Sequence, residues 1–196
     1  MSAPLRRREV VASLLAGRGD MLVVAGLGST AWDCTAAGDA PLTFPMWGAM
    51  GSAATMGLGL ALAQPARRVL VVTGDGEMLM GLGALATIGV QRPANLAIAV
   101  IDNERYGETG MQETHTASGV DLAAVALACG FAAAQVVRDA TGLEAARAAL
   151  RAGAGPVLAQ VKVAPERLPL VLPPREGALL KARFRRALLG PQSEAD

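Results

Sequence analysis

Two short stretches hold the residue types with which chemistry could begin. Gly74-Asp75-Gly76 stands where the apolar run from Val69 breaks off, and Asp102-Asn103 stands where the next apolar run ends. Glycines at a strand end let backbone N–H groups come close to a ligand, and a helix starting near Glu77 offers unpartnered N–H groups to an anion. A bare Asp75 would repel that anion. A divalent cation on Asp75 that bridges to phosphate oxygens removes the conflict, and Mg²⁺ suits a site where one carboxylate and substrate phosphates share the coordination. Such a cation needs a second oxygen ligand nearby. Asn103 follows 28 positions later (103 − 75), room for one helix and a returning strand that bring both side chains to the same sheet edge. Singly, Gly-Asp-Gly reads as a tight turn and Asp-Asn as a helix cap. One βαβ step apart, they read as a site.

That edge needs a sheet to carry it. Met21 to Leu27, "RRVLVVTGD", "NLAIAVIDN", Phe131 to Val137 and Pro156 to Val163 read as five buried strands. Helical patterns cover Met50 to Ala63, Glu77 to Val90, Asp121 to Ala128 and Gly142 to Ala152, and "GSTAWD" after the first strand reads as a turn. Strands apolar throughout and separated by helices describe an α/β fold, a doubly wound, mostly parallel sheet covered on both faces. Ligands bind such sheets beyond the carboxyl ends of the strands. The expected division is one domain over 1–164 and, over 165–196, a Pro-rich extended segment and a basic amphipathic helix packing on the domain or a partner.

The chain has 196 residues, 52% of them hydrophobic but only 3% aromatic. That balance suits close backbone packing and suggests apolar surface covered by another chain. The apolar run Leu96 to Ile101 is far short of the roughly 20 residues of a membrane span. Glu9 interrupts the N-terminal apolar patch, so a first amphipathic helix is expected there rather than a signal peptide. A net charge of +1 without a basic, aromatic-interleaved stripe gives no reason to expect nucleic acid. Cys34 and Cys129 form neither a metal-spaced pair nor a disulfide framework, which points to the cytoplasm.

Gly-Asp-Gly, a helix, an apolar strand and then Asn resembles the signature of thiamine diphosphate-dependent enzymes. The resemblance covers their diphosphate-binding domain, from about Gly26 to Val163. It implies thiamine diphosphate and Mg²⁺ as cofactors, with Asp75 and Asn103 as side-chain metal ligands and the Arg105 backbone carbonyl as a third. Many members carry Asn where this chain has Asp102, but only the second position is the usual ligand. The cofactor-binding residues it implies are Gly48, Ala49, Met50, Gly74, Asp75, Gly76, Glu77, Asn103, Arg105, Tyr106 and Gly107. "FPMWGAMGSAATMGLGLALA" resembles the family's ring-gripping segment. There the Gly48 carbonyl would accept a hydrogen bond from the 4′-amino group, and Met50 would wedge the cofactor into its bent conformation.

The family also needs a glutamate at N1′ of the pyrimidine, carried on a separate pyrimidine-binding domain. None of Glu77, Glu104, Glu108 and Glu113 stands in that context. The resemblance therefore implies a heteromer, α₂β₂, in which a second polypeptide supplies that domain. "GLGLALAQPARRVLVVTGDGEMLMGLGALATIG" and "YGETGMQETHT" are most similar to the sulfopyruvate and phosphonopyruvate decarboxylase group, which implies a small 2-oxo acid substrate. The alternatives are an acetolactate synthase-like carboligase, a 2-oxoacid oxidoreductase β subunit (which the two cysteines do not suit), or a non-catalytic phosphate-binding module. "GLG" at Gly26 to Gly28 lacks the third glycine of a dinucleotide fingerprint. In the loop after Asn103, Thr109, Gln112, Thr114, His115 and Thr116 are expected at the substrate entrance. His115, the only histidine, would bind an anionic group or move protons. A solvated loop leading into a helix cap explains the same residues structurally.

Overall fold

The structure, a computed structural model, describes residues 3–194; the outermost two residues of the expected 1–164 and 165–196 units lie outside the described residues. In chain order the strands are β1 (Leu22–Ala25), β2 (Thr43–Pro45), β3 (Val69–Gly74), β4 (Leu96–Asp102), β5 (Arg105–Tyr106), β6 (Gln112–Glu113), β7 (Ala133–Val137) and β8 (Val157–Lys162). The helices are α1 (Arg7–Leu15), α2 (Ser29–Ala36), α3 (Ala53–Ala63), α4 (Asp75–Met80), α5 (Gly83–Gln91), α6 (Leu122–Ala128), α7 (Ala140–Ala152) and α8 (Gly177–Leu189).

Six strands form one sheet in the order β2-β1-β3-β4-β8-β7, every pairing parallel. Strand side chains alternate between two cores. Leu70 and Val72 join α1, α2 and α7 on one face; Val69 and Val71 join α3, α5 and α6 on the other. This is the double winding that the fully apolar strands require, since both faces are buried. After β1 the chain enters α2 on the first face, and after β3 it enters α4 on the second. The crevice between those two exits is a topological switch point, where open α/β sheets bind ligands.

The five expected strands are all present, slightly trimmed. The pattern expected as one helix over Glu77 to Val90 is two, α4 and α5, because Gly81 abuts the backbone of Gly51. A Cβ on Gly81 would lie 2.0 Å from the Gly51 carbonyl oxygen. "GSTAWD" is not a turn but the start of α2. Asp33 on that helix is buried between Arg7 (2.6 Å) and Arg8 (3.0 Å), a pairing distant in sequence. The short edge strand β2 and the β5–β6 hairpin have no clear apolar run of their own.

The C-terminal segment packs on this domain. Ala164 N–H donates to the Leu5 carbonyl, Arg6 pairs with Glu166 at 2.6 Å, and the Arg8 guanidinium donates to the Pro169 carbonyl. Farther on, Trp47 Nε1 donates to the Pro174 carbonyl at 2.8 Å, and α8 sets Phe184 edge-on to Phe44. Among the described residues no helix is long and apolar enough to cross a membrane.

Candidate functional site

A cleft of about 200 Å³ opens at the switch point. Leu27 and Ser29 come from the end of β1, Gly74 to Glu77 from β3 and α4, and Ile101, Asn103 and Arg105 to Thr109 from the end of β4; Met50 closes one side. The register explains the convergence: Gly74 pairs with Ile101, so Asp75 and Asp102 leave neighbouring strands side by side. Nine of the expected residues meet here: Met50, Gly74, Asp75, Gly76, Glu77, Asn103, Arg105, Tyr106 and Gly107. Gly48 and Ala49 lie just before Met50 and outside the lining, in a loop where Ala49 holds the left-handed φ of +57°. A non-glycine residue in that conformation persists only where its surroundings hold it.

Asp75 is 2% exposed and opens α4 itself, two residues earlier than expected. Burial pushes its carboxyl up to about 6, and the charge of Asp102 adds to this; hydrogen bonds from Thr114 and Thr116 oppose the rise. Thr114 donates to Oδ2 at 2.5 Å and Thr116 Oγ1 lies 3.3 Å from the same oxygen, and Oδ1 has no side-chain partner among the described residues. Asn103 Oδ1 accepts the Arg105 N–H at 3.0 Å, an Asx turn that folds this segment back toward the cleft. Glu104, between them, has φ +61°. It is fixed there by its N–H to Asp102 Oδ1 and by Lys162 Nζ on its own carboxylate at 2.7 Å.

Glycines shape the walls. A Cβ on Gly76 would stand 2.5 Å from the Tyr106 ring, and one on Gly26 would overlap the Glu77 carboxylate. Glu77 is 4% exposed; Oε2 accepts the Thr73 hydroxyl at 2.8 Å. The backbone N–H groups of Leu27 and Gly51 face its carboxylate, though Oε1 closes no hydrogen bond of normal geometry. Glu77 thus sits between α4, the loop after β1 and the Met50 loop, beyond the backbone role expected of it. Burial pushes its carboxyl up. At the opposite wall Glu108 lies against Gly28 and the Ser29 N–H. Burial pushes its carboxyl up too, and Arg7 opposes the rise.

The donor chemistry fits a hard cation beside a diphosphate. One desolvated carboxylate, one amide and a nearby carbonyl are all oxygen donors of the kind Mg²⁺ takes, with phosphate and water completing the shell. No group of three or more His, Cys, Asp and Glu among the described residues could hold a metal alone. A cation at Asp75 therefore needs the other oxygens.

The loop after Asn103 is not what its polarity suggests. Thr114 and Thr116 are 2% and 3% exposed and serve Asp75 rather than a substrate entrance. Thr109 alone of the residues expected at the entrance lines the cleft, and it bonds to the exposed Gln112. His115 is exposed on a 3₁₀ turn (His115–Ser118), outside the cleft lining, and its imidazole has no hydrogen-bond partner among the described residues. Ser29 and Glu108 are the cleft residues that local pattern did not single out, and Thr114 and Thr116, expected at the entrance, are brought to Asp75 by folding alone.

Residues 29–161 match the family model described as thiamine pyrophosphate enzyme, C-terminal TPP binding domain. The chain is 43% identical over 161 residues to the sulfopyruvate decarboxylase subunit beta of Methanothermobacter thermautotrophicus, covering 82% of this chain and 83% of that one. It is 34% identical over 186 residues to the corresponding subunit of Methanococcus maripaludis, covering 94% and 98%. Phosphonopyruvate decarboxylase of Streptomyces viridochromogenes is 42% identical over 173 residues, 88% of this chain but only 43% of the longer relative. Among solved structures, a candidate thiamin diphosphate-dependent enzyme from Mycobacterium smegmatis superposes with a TM-score of 0.70 at 26% identity, over 84% of this chain and 32% of that one. The 4-hydroxybenzoylformate decarboxylase of Rhodococcus jostii shares the fold at a TM-score of 0.67 and 22% identity, over 84% and 33%. With the Gly-Asp-Gly turn and Asn103 in one cleft at the switch point of the sheet, the chain belongs to the thiamine pyrophosphate enzymes, as their C-terminal TPP-binding domain.

Proposed function

We propose that this chain is the diphosphate- and Mg²⁺-binding subunit of a cytoplasmic thiamine diphosphate-dependent 2-oxo acid decarboxylase. It would act with a second polypeptide that brings the pyrimidine-binding domain, in an α₂β₂ assembly. The observation that carries the reading is the cleft in which Asp75, with Oδ1 free of side-chain partners, meets Asn103 and Arg105 beside Gly74 and Gly76. The near full-length match to two sulfopyruvate decarboxylase beta subunits supports a divided enzyme. So does exposed apolar surface, with Trp47, Met50, Met56 and Met80 38–62% exposed.

Asp75 and Asn103 would hold the cation by their side-chain oxygens, and Arg105 by its carbonyl. Gly74, Gly76 and Glu77 would turn backbone groups to the diphosphate, with Tyr106 and Gly107 closing the outer wall. The Met50 loop, fixed through the Gly51–Gly81 contact, would hold the ring end, with the Gly48 carbonyl accepting the amino group and Met50 supporting the bend. When bound, thiamine diphosphate supplies the nucleophilic carbon and the electron sink for loss of CO₂. A small 2-oxo acid with a second anionic group, of the kind the relatives are named for, is the substrate class.

The test is calorimetric titration of the full chain with thiamine diphosphate, with and without Mg²⁺. Binding should require the metal and vanish in Asp75→Ala. Metal-independent binding that survives Asp75→Ala would instead mark a phosphate-binding module. Normal decarboxylation by the chain without a partner would overturn the heteromer.

A further inference from the structure

Four oxygen-bearing side chains form a closed relay behind the cleft. Thr114 Oγ1 lies 2.5 Å from Asp75 Oδ2 and 2.9 Å from Thr116 Oγ1. Thr116 Oγ1 lies in turn 3.3 Å from Asp75 Oδ2 and 2.8 Å from Asp102 Oδ1. None of the four residues is more than 3% exposed. The backbone holds Thr114 in place: its N–H donates to the Glu104 carbonyl at 3.1 Å, and the 3₁₀ turn begins at the next residue. Asp102, at the far end, is anchored by Gln160 Nε2 at 2.6 Å and Lys162 Nζ at 2.8 Å. Asp75 is thus fixed in rotation as well as in position.

The asymmetry has a chemical consequence. Thr114 donates its hydroxyl to Oδ2 and Thr116 Oγ1, whose own proton goes to Asp102, backs Thr114, so a cation in the cleft finds Oδ1 as the oxygen without a side-chain partner. A carboxylate engaged in this way coordinates through one oxygen. Mg²⁺ demands a compact octahedron and takes single carboxylate oxygens, whereas Ca²⁺ accepts more ligands and readily takes both oxygens of one carboxylate. We propose that Thr114, supported by Thr116, is a positioning residue that sets the metal preference of this site. It withholds Oδ2 of Asp75 and so favours a small octahedral ion over Ca²⁺. The proposal rests on the Mg²⁺–diphosphate reading given above, and the test separates the two.

The experiment uses the full chain with saturating thiamine diphosphate. Mn²⁺ binding is read from the electron paramagnetic resonance signal of the free ion, and Mg²⁺ and Ca²⁺ affinities follow by competition. A wild-type chain that binds none of these ions overturns the underlying reading. If it binds, Thr114→Val should raise the ratio of Ca²⁺ to Mg²⁺ affinity about tenfold, the scale on which residues behind metal ligands act. Thr114→Ser, which keeps the hydroxyl, should restore the wild-type ratio. A folded Thr114→Val that weakens both ions alike, or neither, overturns the proposal, since a loosened fold would not distinguish the two cations. Should Thr114→Val fail to fold, the pair Thr116→Val and Thr116→Ser carries the test. The valine variant should then shift the ratio in the same direction by a smaller factor, and an unchanged ratio overturns the proposal.

Discussion

Gly51 and Gly81 meet backbone against backbone. A Cβ on Gly81 would come within 2.0 Å of the Gly51 carbonyl oxygen, and one on Gly51, whose φ is +96°, within 3.1 Å of the Gly81 nitrogen. This contact ends α4 and fixes the loop that carries Met50, so local helix geometry and the Met50 side of the cleft depend on the same pair.

Gly81→Ala should therefore push the Met50 loop outward. Gly81 has φ −101°, which alanine adopts freely, so the cost is steric and falls on backbone that cannot swing aside. Stability should drop by about 1–3 kcal/mol in urea denaturation, and thiamine diphosphate affinity should fall with it. Gly59→Ala serves as the control: it is exposed in α3 with nothing within 4 Å of a Cβ. That change should stabilise by roughly 0.5–1 kcal/mol. Equal effects at the two sites would refute the contact's importance.

Lys162 and Asp102 face each other across β4 and β8 in register. Asp102 is fully buried and receives only donors: Thr116 and the Glu104 N–H on Oδ1, Gln160 and Lys162 on Oδ2. An asparagine here would turn its NH₂ toward one of those donors, which gives a physical reason for Asp at this position. Lys162→Met leaves the carboxylate without its cation and should cost about 3 kcal/mol. Lys162→Arg should recover part of that loss. A thermal shift near zero for Lys162→Met would show that the pair does not support the turn after β4.

How far these residues could be read from the chain depends on how locally each is specified. Gly-Asp-Gly and Asn103 declare themselves, because the same few positions set the strand ends and the ligand chemistry. The five long apolar strands are legible for a similar reason: both faces are buried, so no other pattern is tolerated. α2 is hidden because its buried Asp33 meets Arg7 and Arg8, partners distant in sequence, and no periodicity records that. The break at Gly81 depends on Gly51, thirty positions away (81 − 51). Thr114 and Thr116 look like solvated loop residues until the fold sets them against Asp75 and Asp102.

His115 illustrates the converse. Its sequence context suggests a substrate-facing group, yet its exposed imidazole stands outside the cleft between two buried threonines. With the partner subunit present, His115→Ala should leave kcat/KM within about twofold and stability within roughly 0.5 kcal/mol, as for an isolated surface change. A tenfold fall in kcat/KM at unchanged cofactor affinity would place it at the substrate entrance after all.

Asp75 sets function against stability, and pH exposes the conflict. In the metal-free chain its carboxyl is pushed up to about 6 from an ordinary 3.8, chiefly by burial. The folded state therefore holds this proton more tightly than the unfolded state does. The stabilisation is complete below pH 4 and is lost as pH rises through about 6. Two pH units correspond to at most about 3 kcal/mol. Asp75→Asn removes the titration while its amide oxygen can still accept the Thr114 hydroxyl. The difference in unfolding free energy between variant and wild type should consequently grow in the variant's favour from pH 4 to pH 7, measured in chelator by urea denaturation. Mg²⁺ with thiamine diphosphate at pH 7 should stabilise the wild type and leave Asp75→Asn unchanged, because only the carboxylate gains a cation. A difference that stays flat with pH would show that Asp75 is already ionised at no cost in the metal-free fold.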